Sequence, residues 1–365
     1  MKKILLFVIL IVSAGALFAW FYFEKNAFVG FQEKDRIAET IDNMTLEEKV
    51  GQMFVVGFWG EAPDANVVSL IQEKNIGGVI LLKYNADNKE QLSSLIDDLQ
   101  SRSEYPLLIS TDQEGGTVTK IKVAGVKEFT AQSSISDVEQ AYKVAFDRGK
   151  ELSALGFNVN FSPVLDFITD KNSFLWSRVF RGSIDDFGEF GRAMVGGYQA
   201  AGISACIKHF PGHSNGSIDS HGNLPTVEWS KEEFDENISQ FKKALEADPG
   251  FVMVGHIKYP NIDPENPSSL SKIIVQDILR GQLNYQGVII TDDMEMGALQ
   301  NNFSNQAIAI KAVLAGNDIL LYVSSFDKQV EAYEAVLEAV KSGVISESRI
   351  DESVYRILEL KMGSL

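Results

Sequence analysis

Eight times along this chain a short run rich in valine and isoleucine gives way to a longer amphipathic stretch, and no other feature constrains the fold as strongly. The apolar runs fall at 52–58, 78–82, 107–110, 158–162, 204–208, 251–254, 288–291 and 318–322. Several lack the in–out alternation of a half-solvated strand, as parallel strands covered on both faces require. Segments 65–73, 89–101, 138–155, 187–201, 231–247, 273–283, 304–315 and 328–341 have room for crossover helices. Glycine-bearing joints at 76–78, 155–157, 201–203, 286–288 and 315–317 suit the left-handed caps that end helices. Strand–helix units in series with right-handed crossovers close naturally into a barrel. The sequence therefore predicts a single (β/α)8 TIM-type barrel over 33–365, with an open doubly wound sheet as the structural alternative.

Composition sets outer bounds. With 365 residues, 45% hydrophobic and 23% charged, there is ample apolar material for one large core. A net charge of −17 offers no electrostatic footprint for nucleic acid. The single cysteine, Cys206, excludes an intramolecular disulfide framework and sits in the apolar run 203–207, as a buried small hydrophobe would. At the N-terminus Lys2 and Lys3 precede an unbroken apolar stretch, 4–23, followed by Glu24 and Lys25. Twenty such residues as a helix cover about 30 Å, the hydrocarbon thickness of a bilayer. Residues 1–25 are thus expected to anchor the chain in a membrane through an N-terminal helix. The alternative is a signal cleaved near Ala14-Gly15-Ala16. In both cases the barrel is expected to be extracytoplasmic, in keeping with the cysteine poverty of bacterial exported proteins.

Parallel barrels carry their chemistry at the carboxyl ends of the strands, so the residues just past each apolar run matter most. The third run leads into Thr111-Asp112-Gln113-Glu114-Gly115-Gly116 and the fourth into Pro163-Val164-Leu165-Asp166. The fifth leads into Lys208-His209-Phe210-Pro211-Gly212-His213, the sixth into Gly255-His256, and the seventh into Asp292-Asp293-Met294-Glu295. All four histidines of the chain (209, 213, 221 and 256) gather on this one rim. Two chemistries compete for them. His209, His213 and His221 have the donor types for zinc, but their spacing matches no metal-site signature. Glycoside cleavage needs a carboxylate on one side of a sugar and a proton donor on the other. Asp292, at a strand tip, suits the first role. Asp219-Ser220-His221 offers an imidazole whose tautomer a carboxylate fixes, and so suits the second.

At these residues a family resemblance emerges. Residues 208–225, KHFPGHSNGSIDSHGNLP, resemble the histidine loop of glycoside hydrolase family 3 β-N-acetylglucosaminidases, with its spacing kept throughout. Residues 287–294, GVIITDDM, resemble that family's nucleophile strand. The pieces TDQEGG (111–116), NFSPVLD (160–166), SRVF (177–180), GHIKYP (255–260) and AGND (315–318) agree in order, so the resemblance spans about 45–360. It implies that Asp292 is the nucleophile and that His221, tuned by Asp219, is the acid/base. It further implies that Asp112, Arg178, Lys208 and His209 bind sugar hydroxyls, that His213 organises the loop and that Asp293 supports a neighbouring one. The implied reaction is retaining hydrolysis of terminal β-linked N-acetylglucosamine, with no metal or organic cofactor and a glycan as the only partner besides the membrane; oligomeric state stays open.

Other readings remain open. Asp112 and Asp166 have the residue type of helix caps, and Arg178 has Asp185 and Asp186 within reach as surface partners. β-Glucosidase, β-xylosidase and N-acetylglucosaminide phosphorylase activities belong to the same family, the last because an imidazole does not repel an anionic acceptor. A metal-dependent hydrolase and a noncatalytic wall-binding barrel are more remote. Two departures from the family stand out. Ser214 replaces the usual glycine, which costs on the order of 1 kcal/mol if that position needs a positive φ. The N-terminal apolar segment differs from cytosolic relatives that recycle cell-wall fragments, and points to contact with wall glycan itself. With the chain stopping soon after the eighth unit, the proton donor is expected from the barrel's own loops.

Overall fold

A computed structural model describes residues 34–215, 219–220 and 222–363. The anchor expected over 1–25 therefore lies outside the described residues, and among those described no helix is long and apolar enough to cross a membrane. Two compact units partition the chain at Met44 and Thr45. Of the first, residues 34–43 are helical. The second contains the barrel.

Eight parallel strands close on themselves: β1 (Phe54–Gly57), β2 (Gly78–Ile80), β3 (Leu108–Thr111), β4 (Val159–Asn160), β5 (Ser204–Phe210), β6 (Phe251–Val254), β7 (Val288–Asp293) and β8 (Ile319–Tyr322). Each pairs with its sequence neighbours, and β1 closes the ring against β8 through Phe54–Leu320, Val55–Leu321 and Val56–Tyr322. All four residues of β1, β3, β6 and β8 are buried, which explains why these runs show no alternation. The expected barrel is the observed one.

Local chemistry sets the helix starts. Asp64, Asn88 and Asp137 accept the backbone N–H of Val67, Gln91 and Gln140 at 2.8, 2.9 and 2.8 Å, and Ser183 forms a capping box with Asp186. Gly316, at φ 113°, closes helix Asn305–Ala315 and turns the chain into β8. The expected helix over 231–247 is instead two, Lys231–Asn237 and Ser239–Leu245. The Asn237 side chain donates to the Glu233 carbonyl four residues back (2.8 Å), the local competition by which such residues interrupt helices. Helix Ile273–Gln282 winds with the wider i→i+5 spacing. A final helix, Glu347–Gly363, comes after the eighth unit, and its Lys361 reaches back to Gln52.

Candidate active site

The third strand runs directly into Asp112 and a two-stranded hairpin, Gln113–Gly115 with Val118–Thr119. Asn160, at the end of β4, clamps this hairpin with both ends of its amide. Its Oδ1 accepts the Gln113 N–H at 2.9 Å and its Nδ2 donates to the Gln113 carbonyl at 3.0 Å. The clamp holds Asp112 and Glu114 against β5, where the Lys208 Nζ sits 2.6 Å from Asp112 and 2.7 Å from Glu114. Arg178, in the turn Trp176–Arg178, grips Glu114 bidentately at 2.8 and 2.9 Å. Burial alone would raise the Glu114 pKa, but Arg178 and Lys208 overcome it and bring the carboxyl to about 2. Burial likewise works against the Lys208 ammonium, and Asp112 and Glu114 hold its pKa above the ordinary value. The surface pairing of Arg178 with Asp185 or Asp186, one sequence alternative, is replaced by this buried one.

Asp166 is not a helix cap. It is fully buried and accepts from four donors, two on His209 at the end of β5 and two on His213 just beyond it. Oδ2 meets the His209 backbone N–H at 3.3 Å and its Nδ1 at 2.7 Å, and Oδ1 meets the His213 N–H at 2.7 Å and its Nδ1 at 3.0 Å. Burial would raise its pKa; His209 and His213 instead hold it well below the usual range. An ionised carboxylate only accepts, so each Nδ1 donates its hydrogen to Asp166. Asp166, His209 and His213 are the group, among the described residues, whose ligand-type atoms lie within 4.8 Å of one another. In the observed geometry those atoms bond to each other. His256, the rim histidine after β6, is fastened differently. Its Nε2 lies 3.0 Å from the Asp293 carbonyl and so must donate, leaving Nδ1 to accept the Ser269 hydroxyl at 2.7 Å. It ties the end of β6 to the end of β7.

The adjacent aspartates of β7 have opposite environments. Asp292 takes the Asp293 backbone N–H on its Oδ1 at 2.8 Å. Burial opposes its charge, yet His209, His256 and that N–H lower its pKa below the usual value. Asp293 turns toward the next loop, accepting from Glu295 N–H (3.1 Å) and Val323 N–H (3.3 Å). Burial, reinforced by the charges of Glu295 and Asp292, pushes its carboxyl up to about 7. Near neutrality, then, Asp292 is the ionised member and Asp293 is close to half protonated.

The loop after β5 returns to this place. The Ser220 carbonyl accepts the Ala298 N–H at 3.2 Å, and the Gly222 carbonyl accepts from Asn301 Nδ2 at 2.9 Å, so the segment docks on the helix Gly297–Gln300 that comes after β7. Ser220 is buried and Asp219 exposed; His221 lies outside the described residues. Ser214 does not adopt a positive φ, and Gly212 supplies the left-handed residue of this loop at φ 118°. The strain expected from the glycine-to-serine departure is therefore not present. Ser220 lines one cleft of about 170 Å³ together with Asp112, Arg178, Lys208, His209 and Asp292. Sequence reasoning gave no role to Glu114, the hub of the cation pair; its signal was an acidic residue two positions beyond Asp112 at an apolar strand end.

The sequence profile described as glycosyl hydrolase family 3 N terminal domain matches residues 45–360. The chain is 33% identical over 323 residues to beta-hexosaminidase A of Pseudoalteromonas piscicida, covering 80% of this chain and 54% of that protein. It is 30% identical over 300 residues to a beta-hexosaminidase of Nitrosomonas eutropha, covering 78% and 85%. Among solved structures, a family 3 beta-N-acetylglucosaminidase of Paenibacillus superposes with a TM-score of 0.84 at 37% identity, over 87% of this chain and 62% of that one. The chain thus spans about half the length of the first of these relatives and most of the second.

Proposed function

The chain belongs to glycosyl hydrolase family 3, and from that premise we propose that it is a retaining exo-glycosidase releasing terminal β-linked N-acetylglucosamine. The observation that carries the proposal is that Asp292, held ionised, and Ser220, the centre of the Asp219-Ser220-His221 element, line a single cleft. Asp292 attacks the anomeric carbon as the protonated His221 imidazole gives its hydrogen to the leaving oxygen. A glycosyl-aspartate forms; His221, now neutral and oriented by Asp219, takes a proton from water, whose oxygen displaces Asp292 with net retention. Asp112, Lys208, His209 and Arg178 supply the acceptors and donors for ring hydroxyls. Asp166 holds the His209 ring by its Nδ1, which leaves Nε2 for the sugar.

Export is inferred from the sequence of residues 1–25, read as a membrane anchor or signal, and makes wall glycan or its fragments the natural substrate class. The panel that tests the activity is 4-nitrophenyl N-acetyl-β-glucosaminide against the glucoside and xyloside. We expect turnover of the first, unaffected by chelation, and trapping of a 2-fluoro sugar on Asp292. A strict preference for the glucoside or xyloside would replace the substrate, and activity abolished by chelator and restored by zinc would replace the mechanism.

A further inference from the structure

Glu114 lines the cleft yet is only 1% exposed, and both of its oxygens are taken. Oε1 accepts from Lys208 Nζ at 2.7 Å and from Arg178 Nη2 at 2.8 Å, and Oε2 accepts from Arg178 Nε at 2.9 Å. The donors left over are what a ligand would meet. An ammonium has three N–H groups; Lys208 gives one to Asp112 and one to Glu114, so one remains. A guanidinium has five; Glu114 takes Nε–H and one Nη2–H, and among the described residues no acceptor meets Nη1. Both cations line the same cleft as Asp292.

The hairpin that carries Glu114 does not depend on its carboxylate. Arg148, itself fully buried, donates from Nη1 to the Glu114 carbonyl and from Nη2 to the Thr130 carbonyl, each at 2.7 Å. Gly115, at φ 87°, packs so closely that a Cβ there would stand 2.2 Å from the Thr130 oxygen. With the Asn160 clamp on Gln113, the backbone is fixed from three directions. The side chain is therefore spare for another task, and its fork geometry suits one. A carboxylate meets the Nε–Nη2 edge of a guanidinium with two parallel bonds and so sets the plane of the whole group. An amide in its place turns an N–H2 toward one of those donors and loses a leg of the fork. It also leaves Lys208 and Arg178 with Asp112 alone, so that a formally neutral quartet becomes cationic.

We propose that Glu114 is a positioning residue for the sugar: it aims the remaining Lys208 N–H and the free Arg178 edge at hydroxyls of the terminal pyranose. The proposal rests on the glycosidase reading above, and its test separates the two. Wild type, Glu114→Gln and Glu114→Asp are compared on 4-nitrophenyl N-acetyl-β-glucosaminide and on its 3-deoxy, 4-deoxy and 6-deoxy analogues. In wild type, deleting a hydroxyl that faces the two cations lowers kcat/KM by about tenfold or more. Glu114→Gln raises KM for the parent substrate by about tenfold, with a smaller change in kcat. The same hydroxyl deletion then costs that variant less than about threefold, because the donors no longer point at it. Glu114→Asp keeps the charge and restores part of the discrimination, and it carries the same comparison if Glu114→Gln does not fold. Deletion factors equal in wild type and in the folded variants, or no loss from any deletion in wild type, overturn the positioning role. A wild type that does not cleave the parent substrate overturns the glycosidase reading, and the role with it.

Discussion

At the scale of single residues, the site depends on pairs of like groups made unlike by their surroundings. Asp292 and Asp293 are covalent neighbours, yet one is held ionised by His209, His256 and a backbone N–H while the other is pushed to about 7. Removing the Asp292 charge as Asp292→Asn should cost on the order of 10⁴-fold in kcat. Asp293→Asn resembles a state that the residue already populates at neutral pH, and its Oδ1 still accepts from Glu295 and Val323, so kcat should stay within about tenfold of wild type. Steady-state rates on the nitrophenyl substrate decide this; the reverse ranking would move the nucleophile to Asp293. Asp166 makes a second case. Asparagine there places an amide against one of two Nδ1–H groups and leaves buried donors unpaired, at about 3 kcal/mol or more. The folded pKa of Asp166 lies well below the unfolded one, so its contribution is present above about pH 4 and is lost as pH falls through the folded value. Denaturant unfolding of Asp166→Asn should therefore show a stability deficit at pH 7 that shrinks as the pH drops below 4. A deficit constant with pH would mean that Asp166 acts through shape rather than charge.

At the scale of elements, the barrel was legible because burial on both faces leaves a run apolar whatever its partner, and each of the eight runs became a strand. Three helix starts were legible too, at 65, 89 and 138, where Asp64, Asn88 and Asp137 satisfy a first turn by themselves, whereas the helix read from 187 begins at Ile184 behind Ser183. What the sequence hid were contacts between units distant in the chain. The clamp of Asn160 on Gln113 joins positions 47 apart, and the Arg178 grip on Glu114 joins positions 64 apart. Nothing local distinguishes these residues from solvated polar ones, which is why Asp166 resembled a cap and Glu114 went unassigned. The clamp has its own consequence. Asn160→Ala strands a buried N–H and carbonyl of Gln113, costing roughly 1–3 kcal/mol, and frees the hairpin that presents Asp112 and Glu114 to Lys208. KM for the sugar should rise along with a fall in Tm. A fall in Tm at unchanged KM would show the hairpin held in place by other contacts.

At the scale of the whole molecule, both ends of the barrel are held by buried charge pairs. The carboxyl end arranges them around a cleft, and at the floor they fasten the helix Glu347–Gly363. There Asp318, fully buried, takes Arg356 at 3.1 Å and the Ser353 hydroxyl at 2.7 Å, and also bonds Arg280. Lys361 is the exception to this pairing. Buried, with the Gln52 amide oxygen 2.8 Å away as its acceptor, it has its pKa lowered by desolvation to about 7. In the unfolded chain the same group titrates near 10.4. Below pH 7 the lysine is charged in both states and the full burial penalty opposes folding. Between about 7 and 10.4 the folded chain binds fewer protons than the unfolded one, so this group's penalty eases by up to about 1.4 kcal/mol per pH unit. Lys361→Met keeps the apolar stem and removes the charge, losing about 1 kcal/mol of hydrogen bond to Gln52. The variant should therefore be more stable than wild type at pH 6, by roughly 2–4 kcal/mol, and the advantage should narrow steadily toward pH 10. Guanidinium unfolding at pH 6 and pH 9 reads both quantities. A gap of the same size at the two pH values would mean that water reaches Lys361 and that the helix Glu347–Gly363 does not seal the floor.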